Sequence, residues 1–105
     1  MPTITRNFDR YRMSLYSGHP TQAAISLLNP DGTDMARVYF VRDGDALPAN
    51  RLSGTTVLLN YPVSRLGEIT AMLRYETPLY LHFNTDTRVG MISTLHAELV
   101  GEQEL

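Results

Sequence analysis

Cysteine and lysine are both missing from this 105-residue chain. Without cysteine there is no disulfide scaffold and no thiolate chemistry. Without lysine there is no Schiff-base chemistry on a lysine side chain. All nine basic residues are therefore arginine. Arginine recognises anions in a planar, bidentate way, but biased codon usage in a GC-rich genome gives the same composition. No run approaches the roughly 18 consecutive apolar residues of a membrane span. The N-terminal stretch MPTITRNFDRYR is polar and charged, unlike a secretory signal. A cytoplasmic protein without a membrane partner is expected.

A strong positive charge is also lacking. The formal net charge is −2, whereas nucleic-acid binding usually needs a basic stripe. No nucleic-acid partner is expected. Hydrophobic residues make up 43% and charged residues 19%, an ordinary globular balance. Residues 1–105 fit a single domain.

The chain reads as strands punctuated by turns, with one helix. A first strand is expected over Phe8 to Tyr16, where Tyr11, Met13 and Leu15 alternate with Arg10, Arg12 and Ser14. The next segment, AISLLNPDGTDMARVYFV, is a hairpin. Its Asn29-Pro30-Asp31-Gly32 sequence predicts a type I turn with a bulge at Gly32. Closing the loop with Asn29 and Thr33 pairs Leu27 with Met35 and Ile25 with Arg37. One face then carries Ala23, Ile25, Leu27, Met35, Tyr39 and Val41. The other carries Ala24, Leu28, Ala36, Val38 and Phe40. Residues 42–54 form a long loop, a place where function often lies. TTVLLNY, Thr55 to Tyr61, is a further strand that is apolar on both sides.

The helix is predicted over 62–75. Pro62 suits its first turn, where a missing N–H costs nothing. Val63, Leu66, Ile69 or Thr70, and Leu73 recur at helical spacing, flanked by Met72. Gly67 costs about 1 kcal/mol against alanine inside a helix, and is expected where helix and sheet approach closely. A second hairpin joins Leu79–Asn84 to a strand from Arg88 to about Leu99. Its core face is expected to be Leu79, Leu81 and Phe83, joined by Val89 and Met91.

The expected architecture is α+β: a mainly antiparallel sheet of five or six strands, with the helix packed on one face. Several strands are apolar on both faces, and large exposed apolar patches are uncommon on monomers. A homo-oligomer follows, most simply a two-fold dimer packed sheet to sheet or edge to edge. The alternative is a sheet curled onto itself as a partly open barrel.

Candidate chemistry centres on YLHFN, residues 80–84. Tyr80, His82 and Asn84 share the face opposite Leu81 and Phe83, and Arg88 follows the turn. These four are the candidate ligand-binding residues. Pairing Asn84 with Arg88 puts His82 opposite Gly90, where a missing side chain leaves a gap for a ligand or for a covering neighbour. A two-residue turn would instead place Val89 opposite His82. Elsewhere, Arg10, Arg12 and Tyr16 share a parity that Arg6 extends, suiting an anion or a single nucleic-acid strand, a solvated face or an intersubunit salt bridge. His96 with Thr94 and Glu98 forms a polar strand surface. His82, Asp86 and His96 match no zinc spacing. Asp31, Asp34, Asp43 and Asp45 read as turn residues. No nucleophile frame or phosphate loop is present. No catalytic residue, metal or cofactor is expected.

Four stretches carry a resemblance: Asp9-Arg10-Tyr11-Arg12, Ala36-Arg37-Val38-Tyr39-Phe40, Met72 to Pro78, and Gly90 to Thr94 with Val100-Gly101-Glu102. In these the chain resembles short bacterial proteins of unknown function, including ones encoded on mobile integron gene cassettes. The resemblance implies a bacterial, soluble, oligomeric protein and carries no site residue. Two readings follow. One is a homo-oligomeric binding or interaction module without catalytic activity. The other is a small-molecule binder or small enzyme with its pocket near His82 and the 42–54 loop, or at a subunit interface.

Overall fold

The computed structural model describes residues 3–75 and 79–94. Its strands form two sheets that enclose one apolar core, with the helix packed against it. The five-stranded sheet has the order β2-β3-β4-β6-β5, and the three-stranded sheet the order β1-β7-β8. The strands are β1 (Thr3–Phe8), β2 (Tyr11–Leu15), β3 (Thr21–Leu28), β4 (Asp34–Val41), β5 (Arg51–Ser53), β6 (Thr56–Pro62), β7 (Leu79–Asn84) and β8 (Gly90–Thr94). Among the described pairings only β4 with β6 is parallel. The architecture is thus α+β and mostly antiparallel. It adds a three-stranded sheet to one of the expected size.

The expected first strand divides in two. β1 joins the small sheet beside β7, while β2 joins the large sheet beside β3. The chain crosses between sheets at Asp9 and Arg10. Asn29-Pro30-Asp31-Gly32 forms the expected turn: Gly32 N–H donates to Asn29 O at 2.9 Å, and Gly32 takes φ +88°. Asp31 accepts from the Thr33 hydroxyl and backbone N–H, which lowers its carboxyl pKa. Beyond the turn the register departs from expectation. Leu28 pairs with Asp34, but Leu27 pairs with Ala36 and Ile25 with Val38. Met35 is the extra residue of a β-bulge. The slip turns Ala36, Val38 and Phe40 inward beside Ala23, Ile25 and Leu27, and all six are buried. Tyr39 instead faces outward beside Ala24.

The second hairpin slips too. Arg88 adopts φ +62°, and its N–H donates to Asn84 O at 2.7 Å while Asn84 N–H reaches Val89 O. The left-handed residue lengthens the loop, so Phe83 pairs with Gly90 and His82 with Met91. Val89 and Met91, expected in the core, are 64% and 50% exposed. Gly90 and Ile92 take the inner face instead. Leu79, Leu81 and Phe83 are core, as expected. The proposed arm from Thr94 to Leu99 lies outside the described residues beyond Thr94.

The 42–54 loop contains strand β5, which pairs with β6. Asp43 Oδ1 accepts from Ser64 N–H at 3.1 Å, satisfying a donor at the start of the helical segment. That segment is a 3-10 turn, Val63–Arg65, followed by α1 (Leu66–Tyr75). Val63, Leu66, Ile69, Met72 and Leu73 pack on the core. Gly67 does not make the close approach expected of it. It is exposed, and a Cβ there would meet nothing within 4 Å. The close approach is at Gly90, where an added Cβ would lie 2.3 Å from Leu59 Cδ2. Leu59, on β6, fills the space beside this glycine. Gly90→Ala is therefore expected to destabilise the fold by about 1–3 kcal/mol through overpacking. In a chemical-denaturation cycle with Leu59→Ala the two losses should fall short of additive. Additive losses would mean the two residues do not meet.

Candidate functional site

Three surfaces of the sandwich carry exposed chemistry. The first is the outer face of the three-stranded sheet. His82 sits at its centre because β7 is the middle strand. Its Nδ1 lies 3.2 Å from Thr5 Oγ1 on β1, and its Nε2 lies 3.0 Å from Ser93 Oγ on β8. One imidazole therefore links all three strands. The Tyr80 ring stacks beside it, with centroids 6.2 Å apart and planes 18° apart. Both residues are half-buried. The other two candidates also shape the turn. Asn84 Oδ1 accepts from the backbone N–H groups of Asp86 and Thr87, closing the turn. Arg88 holds the left-handed position, and its carbonyl accepts from Asn50 Nδ2 at 3.0 Å. Asn50 also accepts from Asn60 N–H at 2.7 Å, so the loop is pinned between β6 and the hairpin tip. Sequence reasoning missed Thr5 and Ser93, because their approach to His82 depends on strand register. Gly90, expected opposite His82, faces Leu59 on the other side of the sheet.

The second surface is the outer face of the five-stranded sheet. Asp34 lies between two arginines, with Arg37 Nε at 2.7 Å and Arg12 Nη2 at 3.7 Å. Contact with Tyr39, and then with Asp34, raises the Arg37 pKa further. Arg12, Ser14, Tyr16, Ser26, Arg37 and Tyr39 line a shallow cleft here of about 260 Å³. The small residues on β2 and β3 form its floor. Arg12 and Tyr16 share this face, as their parity implies. Arg6 does not extend it: on β1 it turns toward the core edge, and its Nη1 reaches Thr55 O at 3.4 Å. Asp34 engages both arginines, so one of the two positive charges on this face is compensated.

The third surface is strand β2. It pairs in register with β3, Tyr11 with Leu27, Met13 with Ile25 and Leu15 with Ala23. Tyr11, Met13 and Leu15 therefore point toward the core side of the sheet. Yet they are 38%, 44% and 71% exposed, while their partners on β3 are fully buried. The reason is geometric. The large sheet has five strands and the small one three, and among the described residues nothing covers the overhanging strand. All five residues of β2 are exposed.

Among the described residues no three His, Asp or Glu side chains gather closely enough to hold a metal ion. No described helix is long and apolar enough to cross a membrane. His96 and Glu98 lie outside the described residues. In comparisons with known proteins the chain matches no family model, and neither a curated protein nor a solved structure resembles it significantly.

Proposed function

We propose that this chain is a homo-oligomeric interaction module, most simply a two-fold dimer, whose work is binding rather than catalysis. The stripe of Tyr11, Met13 and Leu15 is the observation that supports this reading. These three side chains continue the core face of the large sheet into solvent. Edge strands are usually protected by inward-pointing charge, proline, a bulge or a covering segment. The inward positions of β2 have only apolar groups. Burying apolar surface stabilises by roughly 25 cal/mol per Å², so a partner whose apolar side chains lie against the stripe removes part of it from water. Self-association makes thermal stability depend on concentration by mass action. The midpoint of unfolding should therefore rise as the protein is concentrated through the micromolar range. A midpoint independent of concentration would contradict the reading.

The His82 surface favours a second reading, small-molecule binding with Tyr80, Asn84 and Arg88 near the 42–54 loop. Here an aromatic ring and an imidazole lie side by side on a half-buried polar face. A thermal-shift screen against metabolites and metals tests it. A ligand at 100 times its dissociation constant stabilises by about 2.7 kcal/mol, and His82→Ala should abolish that gain. Hits that survive His82→Ala would place the site elsewhere.

A further inference from the structure

The oligomer reading leaves open which edge pairs and in what register, and strand β2 answers both. We infer that two copies of the chain join by antiparallel pairing of β2 with β2 of the second copy, with Met13 on the two-fold axis. The inference rests on the homo-oligomer reading and adds a specific geometry to it.

Backbone direction comes first. Arg10 O accepts from Leu28 N–H at 3.0 Å, and Tyr16 N–H donates to Gln22 O at 2.9 Å. Even-numbered residues of this strand thus turn their backbone groups toward β3. Alternation along a strand turns those of Tyr11, Met13 and Leu15 the other way, toward the open edge. The residues that offer unpaired backbone groups are the same three that expose apolar side chains on the core side.

Face matching comes second. In an antiparallel two-fold pair the axis passes either through a residue or between two. An axis between residues would set odd positions against even ones, and the apolar stripe of one copy would meet the polar face of the other. The axis therefore passes through a residue. At Arg12 it would oppose two guanidinium groups, and like charges directly opposite are destabilising. At Tyr11 it would set Arg12 against Arg10. At Ser14 it would push Tyr11 past the end of the partner strand. At Met13 all five residues of β2 pair within the partner's β2. Met13 then meets Met13, Tyr11 meets Leu15, and Arg12 meets Ser14. Every outward N–H and C=O of the strand gains a partner, and the apolar stripes become continuous across the axis.

Two of the other edges, β5 and β1, fit less well. β5 has only three residues. The outward face of β1 presents Thr3, Thr5 and Asn7, and its inward face includes Arg6. The occupant that fits β2 best is a strand of its own sequence, because only that register is self-complementary in both charge and hydropathy.

The absence of native cysteine makes a clean test possible. Met13→Cys, Tyr11→Cys and Leu15→Cys are each made alone, at exposed positions, and their folding is checked by circular dichroism. Each is treated with a short bifunctional thiol reagent while its mass is followed by light scattering. Directly opposed residues of a hydrogen-bonded pair have Cα atoms about 5.5 Å apart. Two copies of residue 11, or of residue 15, would lie ~14 Å apart, four residues at about 3.4 Å each. The expected result is efficient linkage of Met13→Cys, little linkage of the other two alone, and linkage of Tyr11→Cys to Leu15→Cys when they are mixed. A dimer by light scattering in which Met13→Cys does not link would overturn the β2 geometry while leaving self-association intact. A monomer throughout would overturn both, and would leave the edge for a strand of another protein.

Discussion

Phe83→Ala should cost about 3–5 kcal/mol of folding stability, the usual loss for truncating a buried phenylalanine. Met91→Ala, on the neighbouring strand, should fall within about 0.5 kcal/mol of the parent, as surface changes do. Phe83 is 1% exposed and Met91 50%. The contrast is a direct readout of register. If His82 paired with Gly90, Met91 would take the inner face and its truncation would be expensive. Because Phe83 pairs with Gly90, Ile92 occupies that face instead. Urea denaturation of the two variants measures the difference. Comparable losses at both positions would contradict the pairing.

Met13→Asp should have the second large effect, on association rather than folding. Across the inferred axis two aspartates would stand directly opposite, their Cα atoms about 5.5 Å apart, in place of an apolar contact. Like charges directly opposite on paired strands are destabilising by up to about 1 kcal/mol and the apolar Met13 contact is lost as well, so the dimer dissociation constant should rise by roughly 10-fold, about 1.4 kcal/mol. The isolated protomer should be little altered, since residue 13 is exposed there. Mixing Met13→Asp with Met13→Arg should restore association as a mixed dimer. Sedimentation velocity of each variant and of the mixture measures this. A Met13→Asp protein that associates like the parent would exclude β2 as the interface.

Which features the sequence discloses follows from how local their causes are. The turn at Asn29–Gly32 is legible because proline and glycine specify it within four residues. The helix is legible because Val63, Leu66, Ile69, Met72 and Leu73 repeat its period. The bulge at Met35 is not legible, since nothing local distinguishes Met35 from a paired residue. Only burial of Val38 and Phe40 against the other sheet selects it. The slip at Arg88 is hidden for a related reason. Arginine seldom adopts positive φ, so the sequence suggests no left-handed residue there. Both slips move side chains from one face to the other: Val89 and Met91, which the sequence assigns to the core, lie outward, and Tyr39 parts from the face of Ile25 and Leu27. The break between β1 and β2 does leave a trace: Phe8 is even-numbered, whereas Tyr11, Met13 and Leu15 are odd. A single strand cannot bury both sets on one face.

The same logic applies to the sites. Tyr80 and His82 are neighbours at i, i+2 on one strand, so their shared face can be read directly. Thr5 and Ser93 reach the imidazole only through two sheet pairings, one spanning 77 positions of sequence. Asn84 and Arg88 lie near His82 in sequence, and the contacts of the Asn84 side chain and the Arg88 backbone shape the turn. The apolar stripe of β2 is visible as alternation. That nothing among the described residues covers it depends on the unequal widths of the two sheets, which no local pattern encodes.

Sedimentation equilibrium of the parent protein at micromolar concentration tests the central claim of self-association most directly. A mass about twice the 11.8 kDa of one chain is expected, falling toward one chain on dilution. A mass of one chain at every concentration would contradict it.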